Sequence, residues 1–115
     1  MNDRSISSQQ EAPFDREAFQ ALPCVRVQTD PAYQPPTPEQ VKLLRNHLTL
    51  GQVACAKLLG VSYNPEKGST TIRRWEAAIE SSNHRSIPYS AWRLMLAAAQ
   101  LVDLDDDLVS CKKWD

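Results

Sequence analysis

The hydrophobic positions of this 115-residue chain change their spacing twice. Up to Pro36 they are interrupted by prolines at 13, 23, 31, 35 and 36, so this third is punctuated rather than periodic. Within it, Phe14, Ala18, Phe19 and Leu22 recur at helical spacing after Pro13, which suits a first-turn position, and predict a short helix over 14–22. Val25 and Val27 alternate with polar neighbours, which predicts a short extended piece over Cys24–Gln28. Asp30-Pro31 and Pro35-Pro36 then impose a non-helical linker.

At Thr37 the pattern becomes helical. Thr37-Pro38-Glu39-Gln40 supplies a hydroxyl cap, a proline at the first helical position and a Gln placed to complete a capping box. The apolar stripe is Val41, Leu44 and Leu48, with Lys42, Arg45 and Asn46 expected outward. A second helix, from Gly51 or Gln52 to Leu59, is expected to bury Val53, Cys55, Ala56 and Leu59 and to stop at Gly60, a natural left-handed cap. Tyr63-Asn-Pro-Glu-Lys-Gly68 reads as a turn. Ser69 or Thr70 then caps a third helix expected over 70–81, with Ile72, Trp75 and Ile79 inward and Thr70, Arg73, Arg74 and Ala77 outward. Pro88 opens a fourth helix carrying Trp92, Met95, Leu96 and Ala99, and the acidic run Asp103–Asp107 is expected to end it and begin a mobile tail.

These elements predict an all-α fold: one compact four- to five-helix domain over 37–102, an extended N-terminal arm over 1–36 and a short acidic C-terminal tail over 103–115. The first ten residues are polar and rich in Ser and Gln, the composition of a disordered segment. They lack the apolar run of a secretory signal, and no stretch approaches the roughly 20 apolar residues of a membrane span, so a cytoplasmic protein without a membrane partner is expected. Cys24, Cys55 and Cys111 are odd in number and lack paired spacing, indicating neither a disulfide framework nor a zinc ribbon. His47 and His84 are isolated, and no metal or other cofactor is expected. The net charge of −1 is unevenly placed. From Thr37 to Gln100, eight cations face four acids, a net of +4, whereas the segments before and after carry −2 and −3. A basic centre between acidic ends is what a phosphate-binding face requires.

Several short helices with a Gly-containing turn between the second and third make a helix-turn-helix plausible on physical grounds. Ala56 is small where a crossing helix comes close, and Gly60 turns the chain without a side chain in the way. Ile72 and Trp75 anchor the third helix, each contributing on the order of 2 to 3 kcal/mol by burial, so Trp75→Ala is expected to unfold the domain. The run from Leu48 to Ser62, with Gln52, Ala56 and Gly60 at four-residue intervals, followed by Thr71-Ile72-Arg73-Arg74-Trp75-Glu76, resembles the Cro and phage-repressor (XRE) helix-turn-helix family, whose fold is lambda-repressor-like. Ile87-Pro88-Tyr89-Ser90-Ala91-Trp92-Arg93-Leu94-Met95-Leu96 is similar, more weakly, to the fourth-helix segment of such regulators on phages, plasmids and other mobile elements. The chain departs from the pattern in three places. Gly51 stands where Ser or Thr is usual, the Ala77–Glu80 segment is expected to lengthen the recognition helix, and Ile72 lies twelve positions after Gly60, about six more than usual. The extra Tyr63–Gly68 segment either projects as a wing that sets Lys67 on a phosphate, the favoured reading, or blocks docking.

The resemblance implies a sequence-specific transcriptional regulator, a repressor or autoregulator, binding a palindromic operator in double-stranded DNA as a homodimer. The implied DNA-binding residues are Gln52, Lys67, Ser69, Thr70, Thr71, Arg73, Arg74 and Ala77. Gln52 and Lys67 would meet phosphates, Arg73 and Arg74 guanine, and Thr70 and Ala77 thymine methyls. Glu76 reads as a structural partner for a neighbouring amide or Arg. The alternative is a protein-interaction module of the same fold, antitoxin-like or an inhibitor from a mobile element. No Gly-rich phosphate loop, acid-base pair or nucleophile motif suggests an enzyme, and no small-molecule ligand is indicated.

Overall fold

A computed structural model describes residues 14–112 of the chain. Its regular structure is helical: α1 (Arg16–Gln20), a single 3-10 turn (Pro23–Val25), α2 (Pro38–His47), α3 (Gln52–Leu59), α4 (Thr70–Glu76), α5 (Tyr89–Ala98) and α6 (Leu104–Lys112). The described residues contain no strand, only an isolated antiparallel bridge between Asn64 and Gly68. None of the described helices is long and apolar enough to cross a membrane.

Local chemistry sets the boundaries of α2 and α3. Thr37 Oγ1 accepts from the Gln40 amide at 3.1 Å and Gln40 Oε1 accepts from the Thr37 amide at 2.9 Å, so the capping box is complete. Gly60 ends α3 in the left-handed region at φ 73°, which a side chain would resist. α2 and α3 each pack against α4 and α5. Between them lies a core of Val41, Leu44, Cys55, Ala56, Ile72, Trp75, Trp92, Met95 and Leu96, with Val53 and Leu59 of α3 only half-buried.

The N-terminal segment is part of this core rather than an arm. Phe19, Cys24 and Val25 are buried, and the Trp92 indole N–H donates to the Cys24 carbonyl at 2.8 Å. Arg16 donates to the carbonyls of Ala99 and Gln100 at the end of α5, and Gln20 Nε2 donates to the Leu101 carbonyl at 2.8 Å. The expected helix over 14–22 is thus shortened to α1, and the expected extended piece at Cys24–Gln28 begins as the 3-10 turn, whose carbonyls face α5. The first ten residues, expected to be disordered, lie outside the described residues.

The acidic run does not start a tail. Asp103 Oδ1 accepts from the Asp105 amide at 3.0 Å, and Asp105, Asp106 and Asp107 occupy the first turn of α6, where carboxylates complement the unpaired N–H groups of a helix start. Asp107 then grips Arg93 of α5 through both oxygens, each at 2.7 Å. Arg93 is itself buried and also donates to the Val25 carbonyl at 2.7 Å, so one guanidinium joins the N-terminal segment, α5 and α6.

Two expectations for the centre of the chain also need correction. α4 ends at Glu76 rather than near Ser81, with Ala77 extended. The Arg85 amide takes the Arg74 carbonyl at 3.0 Å and His84 Nδ1 lies 2.9 Å from the Ala77 carbonyl, so the following loop satisfies the helix end that another turn would have used. Ile79, expected inward, is 65% exposed. Arg45, expected outward, is buried: it stands four residues after Val41 and so shares the inward face of α2, where Glu76 meets it. Glu76 is therefore the structural partner its sequence context suggested.

Candidate nucleic-acid interface

α4 is short, and its orientation depends on what holds its two ends and its inner face. Ile72 and Trp75 are buried against the core, while the last turn is fixed by Glu76 on Arg45. The carboxylate receives Arg45 Nε at 2.6 Å and Nη2 at 2.8 Å, and Arg45 Nη1 donates to the Leu50 carbonyl at 2.9 Å. Hydrogen bonding to Glu76 holds the guanidinium further on its charged side than is usual. This ties the end of α4 to α2 and to the connection entering α3.

The start of α4 is a knot of side chains. Ser69 caps it, accepting from the Ile72 amide at 3.2 Å and donating to the Ser62 carbonyl at 2.7 Å. Gln52, the first residue of α3, accepts through one oxygen from the Ser69 amide at 3.0 Å and from Arg73 Nη1 at 2.9 Å. Arg73 Nη1 also donates to the Lys67 carbonyl at 2.9 Å and Nη2 to Thr70 Oγ1 at 3.1 Å. The inserted turn is thereby bound to both helices. It is closed internally by the paired amides and carbonyls of Asn64 and Gly68 and by Asn64 Oδ1, which accepts from the amides of Glu66 and Lys67. Gly68 is required here: at φ 95°, a Cβ would lie 2.3 Å from Gln52 Oε1.

The residues singled out from sequence thus divide into groups. Thr70, Arg73 and Arg74 share the exposed face of α4, and Lys67 is exposed on the turn beside it. Gln52 and Thr71 are half-buried at the edge. Ser69 is 0% exposed, its hydroxyl fully used by the cap, so it is removed from the contact set and assigned to the scaffold. Ala77 is half-buried beyond the helix end rather than on its outer face. The two arginines differ: Arg73 is engaged at three acceptors, whereas the Arg74 side chain makes no hydrogen bond or ion pair among the described residues.

Shallow depressions flank α4. One, of about 460 Å³, runs along the turn side and includes Tyr63, Asn64, Lys67, Thr70, Arg73 and Arg74. The other, of about 350 Å³, lies between α4 and the loop after it and adds Ser81 and Asn83 to Thr70, Arg73, Arg74 and Ala77. Ser81 and Asn83 were not singled out from sequence, because the polar Ser81–Ser86 segment was expected to be a loop beyond the end of a longer α4 rather than a wall of the site. Tyr63 is a further addition, since Lys57 Nζ stands 5.7 Å from its ring centroid and brings another cation to the turn. Burial of Arg45 and Arg93 in ion pairs leaves Lys42, Lys57, Lys67, Arg73, Arg74 and Arg85 as the exposed cations between Thr37 and Gln100.

Comparison of the chain with models of known families, with curated proteins and with solved structures finds no match.

Proposed function

We propose that this chain is a sequence-specific DNA-binding protein of helix-turn-helix type, a transcriptional regulator of the repressor or autoregulator kind. In this reading α3 and α4 form the unit and α4 lies in the major groove. The observation that carries it is the two-sidedness of α4: Ile72 and Trp75 are buried, while Thr70 and Arg74 stand exposed on the opposite side between two shallow depressions. An exposed guanidinium on an anchored helix can address the O6 and N7 acceptors of a guanine together. In this reading Lys67 on the turn and the Gln52 side-chain amide, whose NH2 group remains a donor, meet phosphates. The turn acts as a small wing beside the recognition helix. A two-fold operator and a homodimer complete the proposal, because one such unit buries too little surface for tight specific binding alone.

The test is selection of duplexes from a randomised library by the full chain, followed by fluorescence anisotropy on the enriched sequence over a salt series. A two-fold motif, bound with affinity that falls steeply as salt rises, is expected. Absence of any enriched motif, or equal affinity for enriched and scrambled duplexes, overturns the reading.

A further inference from the structure

α6 leaves one side bare. Its Asp107 and Ser110 turn to the body of the protein, to Arg93 and Tyr89 and to Thr29. At about 100° per residue, Leu104, Leu108 and Cys111 fall on a neighbouring stripe, with Val109 farther round. Leu104 is 45% exposed, Leu108 49% and Val109 60%, on a nine-residue helix with no buried residue of its own. Asp105 and Lys112, seven positions apart, lie along the same side of that stripe at opposite ends of the helix.

We propose that this stripe is a homodimer contact in which α6 packs antiparallel on α6 of a second copy. The charge order selects both occupant and direction. A parallel two-fold pair would set Asp105 and Lys112 of the two copies on opposite sides of the seam, with no pairing between them. A two-fold antiparallel pair brings Asp105 beside the partner's Lys112 twice and leaves Leu108 near the axis, a self-complementary arrangement. DNA does not fit this face, because Asp103, Asp105 and Asp106 are exposed at its N-terminal end and would repel phosphate. The residues outside the described range offer little apolar cover, their hydrophobic members being Met1, Ile6, Ala12 and Trp114. The contact is small, for α6 is only about 13 Å long. Even with the rim of Gln28, Thr29 and Tyr89 beside Leu104 and Leu108, it falls short of a standard interface, so the dimer belongs to the micromolar class.

This contact supplies the partner in the DNA-binding reading, but it is measured without DNA, so failure of one and failure of the other show separately. Sedimentation equilibrium of the full chain over a concentration series is expected to give a reversible monomer–dimer curve. The Leu104→Glu, Leu108→Glu double variant should be monomeric with an unchanged far-UV circular dichroism spectrum. Asp105→Lys and Lys112→Asp should each weaken the dimer about three- to tenfold, and their combination should restore it. The two charge variants lie on exposed positions and keep the test valid if the leucine variant misfolds. A chain that stays monomeric to its solubility limit, a dimer that survives in a folded leucine variant, or a charge-swapped double variant no tighter than the singles overturns the proposal.

Discussion

Arg45 and Glu76, 31 positions apart, meet in a two-pronged ion pair, with Nε to Oε2 at 2.6 Å and Nη2 to Oε1 at 2.8 Å. Both side chains are largely withdrawn from water. Removing one partner strands the other, so Glu76→Ala is expected to destabilise the fold by about 3 to 5 kcal/mol. Replacing both by apolar residues of similar volume should cost less than either single change. Urea unfolding of the three variants measures this, and a Glu76→Ala midpoint equal to wild type would show that the pair does not hold α4.

Arg73 and Arg74 are adjacent but differently employed, and their alanine variants should differ in kind. Arg74→Ala is expected to leave stability unchanged and to cost about 1 to 3 kcal/mol of specific binding, with relaxed preference at one base position. Arg73→Ala removes the tether on the Lys67 carbonyl of the Asn64–Gly68 turn, along with the bonds to Gln52 and Thr70, so hydrogen exchange at the amides of Glu66 and Lys67 should quicken as well as affinity fall. Gly68→Ala should also loosen the turn, its methyl crowding Gln52 Oε1 and Arg73 Nη1 while every cation stays in the sequence. Identical exchange in wild type and Arg73→Ala would remove the positioning role.

A fragment lacking residues 1–36 is expected to show no cooperative thermal transition. It loses Phe19, Cys24 and Val25 from the core and strands two donors, the Trp92 indole N–H and Arg93 Nη1. Phe19→Ala in the full chain should cost about 3 to 5 kcal/mol. A fragment over 37–115 that melts like the parent would return the N-terminal segment to the status of an arm.

The three free thiols should be distinguishable by reagent. Cys111 is exposed, whereas burial pushes the Cys24 thiol up to about 11 and raises that of Cys55. A disulfide reagent near neutral pH should titrate one thiol in the folded protein and three after denaturation. Because the native Cys24 thiol ionises above its usual 9.0, the unfolded chain releases its proton first. Stability should therefore decline as pH rises from about 9 towards 11, and less steeply in Cys24→Ala. Three rapidly titrating thiols in the native protein would contradict the buried placement.

What could be read from the residue order was local. The Thr37–Gln40 box, the Gly60 cap and the Ile72–Trp75 pair are signals contained within one turn of chain, and each stands where its spacing puts it. The extent of α4 was not legible, because its end is set by Arg85 and His84 from a loop whose path depends on the rest of the fold. Arg45 was read as surface charge from its chemistry alone, and Arg93 was only counted in the basic centre. Their registers, four after Val41 and three before Leu96, pointed inward, and an inward cation implies an acid to meet it. The acidic run was read as a solvated tail for the same reason, although carboxylates also mark a helix start.

The contacts of the N-terminal segment bear on the order in which the fold can form. Arg16 reaches the carbonyls of Ala99 and Gln100, Gln20 that of Leu101, and Thr29 meets Ser110, all across more than eighty positions. During synthesis this segment must wait for partners made more than eighty positions later, and such closure between remote positions is the slow part of folding. A message truncated before the codon for Asp107 yields a chain in which Arg93 has no carboxylate to bury against. Such a product should be cleared by proteolysis rather than persist as a shorter binder competing with the intact protein.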